Sequence, residues 1–524
     1  MGTCALLCAL LALPTLAQQP LTDPAKLQSK NVENMQSFSI EKLYTTRSIG
    51  GSTWSPDGKQ IALVTNISGR NNIWLVPSTG GWPTQLTISQ QRQNGPAWSP
   101  DGSWIAYTSD TDGNELWDIF LVSPKTGEVV NLTTTKEISE ESPAWSPDGK
   151  QLVYLAKPKT GSSYEVELMD VYSRHVKHVT QNTPAGFSNL WPLFSRDGKS
   201  IAYTQVRSDA KDSNIFLFEL ASGKSKMLTP HPGEHLYLAT DLSPDGKTAL
   251  ITSDANNGYW NVGLLDIAST GITWPTSLAW EMRSGSFSPD GRSACWTANV
   301  DGRATVYTYD LATKQAQAVP LKNGVNTLAG NPRPYSPDGA RILVNQQAGD
   351  APTDAWAFDF ASHHAEQITF SLVGGLRSAD MVSPYLVHYP SRDGKFTLSA
   401  FVYVPNNIQP NGKFPAIVYI HGGPASQFVD GFDPFVQYIV NQGYLVIAPN
   451  YRGSTGYSKE LMNANFHDLG GGDLNDVLDA VAWIKKSSFV NHEKLAVMGN
   501  SYGGYLAMMA LTKAPEVWAA GIAI

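Results

Sequence analysis

A chain of 524 residues is longer than one ordinary domain, so two or three are expected. An apolar content of 42% is that of a globular protein, and a 10% aromatic share with 15 tryptophans favours a β-rich body. The formal net charge of −8 argues against a nucleic-acid partner.

The N-terminus opens with an apolar run from Cys4 to Leu13, followed by Pro14-Thr15-Leu16-Ala17. A run this short, with small residues at Thr15 and Ala17, predicts a secretory signal over residues 1–17, cut after Ala17. It would make the protein exported, periplasmic or secreted. Cleavage would remove Cys4 and Cys8, leaving Cys295 and no possible intrachain disulfide. No apolar run reaches the roughly 18 residues of a membrane span. Residues 18–44 read as an N-terminal arm.

Over residues 45–375 one repeat dominates. Trp54-Ser55-Pro56-Asp57-Gly58 recurs around Asp101, Asp148, Asp197, Asp245, Asp290 and Asp338. These aspartates lie 44, 47, 49, 48, 45 and 48 residues apart. Each copy reads as the end of one strand, a turn, an alternating second strand such as Ile201–Thr204, a third such as Asn214–Phe218, and a last short strand ending in Leu-Thr. Four short strands per period predict a seven-bladed β-propeller, with the aspartates as turn formers without chemistry.

Residues 376–524 change character. A hairpin turning at Ser391-Arg392-Asp393-Gly394 leads to two continuous apolar runs, 416–420 and 444–448, expected as parallel strands buried on both faces. Leu474, Val477, Leu478, Val481 and Ile484 recur at helical spacing behind an expected N-cap at Asp473, with Lys485 and Lys486 in the last turn. Asp468 and Asp476 also read as helix-start residues. The alternation predicts a doubly wound α/β domain.

Within it, a strand over 494–498 runs into Gly499-Asn500-Ser501-Tyr502-Gly503-Gly504 and then an apolar helix over 505–511, a G-x-S-x-G nucleophile elbow. A serine in such a turn holds a strained backbone that pushes its hydroxyl outward, and side chains two residues away would collide, so Gly499 and Gly503 are required. His421-Gly422-Gly423-Pro424 directly follows the first parallel strand, and small residues there let an amide approach a tetrahedral oxyanion. The expected oxyanion donors are the backbone amides of Gly423 and Tyr502, with Gly499, Gly503, His421 and Gly422 supporting elbow and loop.

The seven Ser-(Pro/Arg)-Asp-Gly turns, the His-Gly-Gly-Pro loop, Asn450-Tyr451-Arg452-Gly453-Ser454-Thr455-Gly456-Tyr457 and the Gly-Asn-Ser-Tyr-Gly-Gly-Tyr elbow together resemble the prolyl oligopeptidase family of serine peptidases. The likeness is greatest to its acylaminoacyl- and dipeptidyl-peptidase branch. It implies an α/β-hydrolase domain and hydrolysis of short peptides through an acyl-enzyme on Ser501, with the propeller restricting entry. Neither cofactor nor metal is implied. Some relatives place paired acids on the propeller to hold a free amino terminus, a role considered for Glu140-Glu141 against that of a solvated loop. Arg452 is open between a contact to substrate and a strand-end ion pair.

The family's triad runs Ser, Asp, His, with both partners after the elbow, whereas here 23 residues follow Ser501. His421 belongs to the oxyanion loop, and His467 and His492 read as loop and strand-end residues. The expectation is a hydrolase domain lacking its last strands and two catalytic groups, inactive as a 524-residue chain and poorly soluble because of an exposed sheet edge. Two other readings stand beside it: an esterase with the same elbow, and a propeller binding protein with a vestigial hydrolase half.

Overall fold

The computed structural model describes residues 19–330, 333–408 and 412–524. The expected signal segment, residues 1–17, lies outside them.

Seven four-stranded antiparallel blades follow one another over residues 49–85, 93–131, 138–178, 187–227, 237–273, 281–318 and 325–367. The aspartate turn joins the first and second strands of each blade. In blade 1 the Ser55 hydroxyl donates to Asp57 at 2.6 Å, the Lys59 amide donates to Asp57 at 3.1 Å, and the Gln60 amide donates to the Ser55 hydroxyl at 2.9 Å. The other six turns repeat these contacts. The serine hydroxyl, helped by the amide, holds every one of these carboxyls below its usual pKa range.

The fourth strands end before the Leu-Thr pair rather than in it: Thr84–Gln85 precedes Leu86, and Lys224–Met227 precedes Leu228. The threonine has another task. Thr87, Thr133, Thr180, Thr229, Thr276 and Thr369 each accept, through the hydroxyl, an amide of the third strand of their own blade. This satisfies a buried donor where the short fourth strand runs out.

Each blade uses four consecutive strands, so no strand is shared across the seam between blades 7 and 1. Side chains close it. Leu343, Ala357 and Ile368 pack with Trp54, Ile61 and Leu63. Arg341 donates to the carbonyls of Ser78 and Gly58, both at 3.1 Å, with its guanidinium 4.7 Å above the Trp54 ring. Blades 6 and 7 are additionally joined by one parallel pairing, Ala304 with Val325.

The second domain is one six-stranded sheet. Its strands are β1 (Tyr385–Pro390), β2 (Thr397–Tyr403), β3 (Phe414–Ile420), β4 (Leu445–Asn450), β5 (Val490–Gly499) and β6 (Ala520–Ala523), in spatial order β1-β2-β4-β3-β5-β6. From β4 to β6 all pairings are parallel. Helices α1 (Pro434–Asn441), α2 (Lys459–Asn463), α3 (Gly472–Ile484) and α4 (Tyr502–Lys513) complete it. Helix α3 starts on Gly472 behind Gly471, so Asp473 is not the N-cap; Asp468 accepts the Gly472 amide at 2.8 Å instead. Asp476 lies inside the helix and is buried, and Lys485 caps the helix end rather than filling its last turn. Helix α4 begins three residues before the expected 505, because Gly503 and Gly504 are helical despite their propensity.

The arm belongs to this second domain. Leu21 pairs with Val387, Trp483 donates its indole N–H to the Thr22 carbonyl at 3.0 Å, and the Ser29 hydroxyl donates to the Pro405 carbonyl at 2.7 Å. The propeller docks through the turns between its second and third strands. His388 sits 2.6 Å from Asp301, Arg303 pairs with Asp430 at 2.8 Å, and Lys459 pairs with Asp254 at 3.1 Å.

Candidate active site

Strand β5 delivers the chain to Ser501, which takes φ 55° and ψ −121° and is exposed. A non-glycine residue at positive φ stores strain, tolerated where surrounding contacts fix it. Here the Ser501 amide donates to the Ile524 carbonyl at 2.8 Å, and the Tyr505 amide donates to the Ser501 carbonyl at 3.0 Å. The flanking glycines are sterically forced. A Cβ on Gly499 would stand 2.3 Å from the backbone of Gly503, and one on Gly503 would stand 2.2 Å from the Ile420 carbonyl oxygen. Although Ser501 occupies the N-cap of α4, its hydroxyl caps no amide, so it projects free at the positive end of a 12-residue helix.

The loop after β3 lies against it. A Cβ on Gly422 would be 3.2 Å from Ser501 Cβ and 3.7 Å from its Oγ. Among the described residues neither the Gly423 amide nor the Tyr502 amide has an acceptor, which leaves two donors beside the hydroxyl.

His421 supports this loop. Its Nδ1 lies 2.8 Å from the Gly422 carbonyl, which can only accept, so Nδ1 carries the proton and Nε2 accepts from the Ser454 hydroxyl at 2.9 Å. The ring stacks on Tyr451 at 4.4 Å, and the Tyr451 hydroxyl donates to the His421 carbonyl at 2.7 Å. Burial pushes the imidazole pKa down to about 4, so it is neutral at pH 7.

The Asn450–Tyr457 segment therefore has work that its motif did not disclose. Asn450 clasps Phe428 through both its amide and its carbonyl, Tyr451 and Ser454 hold His421, and Arg452 forms a buried ion pair. Arg452 donates through Nε and Nη2 to the two oxygens of Asp476, each at 2.8 Å, and through Nη1 to Asp393 at 3.1 Å. This settles the open choice for Arg452 as an ion pair. Tyr502 donates its hydroxyl to Asp473, whose carboxyl pKa is raised by burial. Neither pairing has a sequence signal, since partners 24 and 29 residues apart are joined only by the fold.

Among the described residues no imidazole or carboxylate hydrogen-bonds to Ser501. His492 is turned to the Lys485 carbonyl at 2.7 Å, and His467 is exposed on a loop at φ 63°.

The sequence profile of the prolyl oligopeptidase family matches residues 431–524, and that of the TolB beta propeller domain matches 27–186 and 156–378. The hydrolase domain is thus similar to that of the prolyl oligopeptidase family. The chain is 26% identical over 484 residues to dipeptidyl aminopeptidase BIII of Pseudoxanthomonas mexicana, covering 90% of this chain and 69% of that one. It is 40% identical over 207 residues to dipeptidyl peptidase family member 6 of Caenorhabditis elegans, covering 36% of this chain and 28% of that one. A solved puromycin-hydrolyzing peptidase of Mycobacterium tuberculosis superposes with a TM-score of 0.79 at 16% identity, over 95% of this chain and 80% of that one, a likeness of fold. The chain thus spans between about a quarter and about two thirds of the length of these two curated relatives.

The paired acids Glu140 and Glu141 have different surroundings. Both lie on the first strand of blade 3, not in a solvated loop, and neighbouring strand residues face opposite sides. Glu140 is buried, accepts from the Thr135 hydroxyl, and is pushed up to about 7 by desolvation. Glu141 lines the propeller's central tunnel and accepts from Ser139 at 2.8 Å and Tyr164 at 3.0 Å. Among the described residues no group of three or more His, Cys, Asp or Glu side chains is placed to hold a metal, and no helix is long and apolar enough to cross a membrane.

Proposed function

We propose that this protein is an exported serine peptidase acting on short peptides near their N-termini, as a dipeptidyl or acylaminoacyl peptidase, through an acyl-enzyme on Ser501. The observation that carries this is the elbow itself: an uncapped hydroxyl on a strained backbone, at a helix N-terminus, with two free amides beside it. Ser501 attacks the scissile carbonyl. The amides of Gly423 and Tyr502 take the developing oxyanion, and neutral His421 keeps their loop in place without exchanging protons at pH 7. The names of the curated relatives support the dipeptidyl assignment.

A serine hydroxyl needs a general base, and its loss costs many powers of ten. The 524-residue chain, with no imidazole on Ser501 among its described residues, is therefore proposed to bind substrate without turning it over. The same observation favours a second reading, a propeller binding protein whose hydrolase half is vestigial. One experiment separates them. Protein from the natural source is treated with a fluorophosphonate probe and assayed with dipeptidyl- and acetylaminoacyl-coumarin substrates, beside the 524-residue chain and its Ser501→Ala variant. Probe on Ser501 with amide turnover by the natural protein supports the peptidase. Neither labelling nor turnover moves the assignment to a binding protein, and ester cleavage without amide cleavage moves it to an esterase. Rapid turnover by the 524-residue chain refutes the missing base.

A further inference from the structure

The propeller tunnel holds a cavity of about 850 Å³ that opens among the aspartate turns, on the face away from the hydrolase domain. This size suits a small ligand. Three departures from the repeat converge on it. The first is Arg196, which replaces the proline of the other six turns. Its Nη2 donates to Asp241 of blade 5 and to the Phe287 carbonyl of blade 6, each at 2.9 Å, while its Nε is buried without a partner among the described residues. Arg333 also donates to Asp241, at 3.1 Å from Nη2. Two guanidiniums therefore share one carboxylate, leaving one positive charge uncompensated at the mouth.

The second departure is Trp191. The first strands of blades 1 to 6 have a bulge near this level, filled in blades 1, 2 and 3 by Gly51 at φ 57°, Gly95 at φ 63° and Ser142 at φ 56°. Blade 4 places a tryptophan there at φ 52°, half-exposed and lining the cavity. A bulky side chain at positive φ is strained, and that strain here sets an indole against the tunnel space. The third is Glu141, the remaining charged group on the wall, whose two hydrogen bonds both fall on Oε1. By the turn motif Asp241 corresponds to Ala144, and because the bulge at Ser142 takes up one residue (Ala144 faces Val153, Glu141 faces Leu155), Glu141 lies two ladder positions deeper, an axial distance of about 7 Å.

A cation at the mouth, an acid about 7 Å deeper along the axis and aromatic surface between them complement a short zwitterion. We propose that the tunnel mouth is a binding site for a short unblocked peptide. Its C-terminal carboxylate sits at Arg196 and Arg333, its ammonium at Glu141 and an apolar side chain on Trp191. The site is separate from Ser501, and its occupancy is read without turnover.

The test is calorimetric titration of the full chain carrying Ser501→Ala with Ala-Phe-Ala, its C-terminal amide and its N-acetyl form. The free tripeptide is expected to bind at least tenfold tighter than the amide, with the acetylated form in between. Arg196→Pro, which restores the residue of the other turns, is expected to abolish the preference for the free acid and leave amide binding unchanged. Arg196→Gln serves if the proline variant unfolds at lower temperature than the parent. Equal affinity for acid and amide overturns the proposal. So does an acid preference that survives both substitutions, which would put the peptide at the Ser501 cleft and leave the peptidase reading standing.

Discussion

His421 gives the hydrolase domain a built-in acid sensitivity whose size follows from its surroundings. The ring is 8% exposed, and burial lowers its pKa from 6.5 to about 4. Between those values the unfolded chain binds a proton that the folded domain refuses, so stability is complete above pH 6.5 and falls as pH drops toward 4. At about 1.4 kcal/mol per pH unit across the window, the loss between pH 7 and pH 5 is about 2 kcal/mol. With a urea m-value of about 2 kcal/mol/M, the hydrolase transition should move down by about 1 M. Glu140, Glu281 and Asp354 carry pKa values raised to about 7, 7 and 6 by burial, so their contribution is lost as pH rises, the opposite sign. All three lie in propeller blades, but burial also raises Asp433, Asp473 and Asp476 in the hydrolase domain, so the share of His421 is isolated by comparing the parent with a variant at that residue. The assay is urea unfolding at pH 7 and pH 5, followed by hydrogen exchange in β3 and β5, for the parent and for His421→Gln. The glutamine variant should lose most of the pH dependence. An unchanged midpoint shift in that variant refutes the reasoning.

Other consequences are as direct. Gly503→Ala forces a methyl to within 2.2 Å of the Ile420 carbonyl oxygen. It should cost about 3 kcal/mol and abolish fluorophosphonate labelling of Ser501; labelling at the parent rate would contradict the elbow geometry. Arg452→Met strands the buried Asp476 carboxylate and should destabilise the hydrolase transition by about 3 to 5 kcal/mol, with Asp476→Leu added to it restoring part of the loss. A cost below about 1 kcal/mol would show the pair to be dispensable. Arg341→Ala removes the guanidinium from the seam and should raise hydrogen exchange in the outer strands of blades 1 and 7 well above that of blades 3 and 4. Uniform exchange across the ring would count against a local seam.

The periodic parts of this fold were open to reading because their signals are local. Ser55, Asp57 and Gly58 make their turn with one another, and Gly499 is demanded by the backbone of Gly503 four residues on, so spacing alone exposes both, whereas Gly503 answers to the distant Ile420 carbonyl. The same turn recurs at Ser391-Arg392-Asp393-Gly394 in the hydrolase hairpin, with the serine donating to the aspartate at 2.7 Å. What stayed hidden depends on distant segments meeting. Asp473 and Asp476 fit a helix start by composition, but their carboxylates answer to Tyr502 and Arg452, which only tertiary packing brings to them. Glu140 and Glu141 look like a pair in one dimension. A strand separates them to opposite faces, one into the blade and one into the tunnel.

The seam between blades 7 and 1 carries a consequence beyond its own contacts. The chain entering blade 1 comes from the arm, whose Leu21, Thr22 and Ser29 are fastened to the hydrolase domain, and the chain leaving blade 7 runs directly into β1 of that same domain. The hydrolase domain thus acts as a clasp on both ends of an open band. A seam that parts has its halves held at high effective concentration, so it recloses as an intramolecular event. Cutting the chain between the arm and blade 1 would leave every seam contact in place yet turn a ring that breathes and reseals into one that can unwind from its first blade.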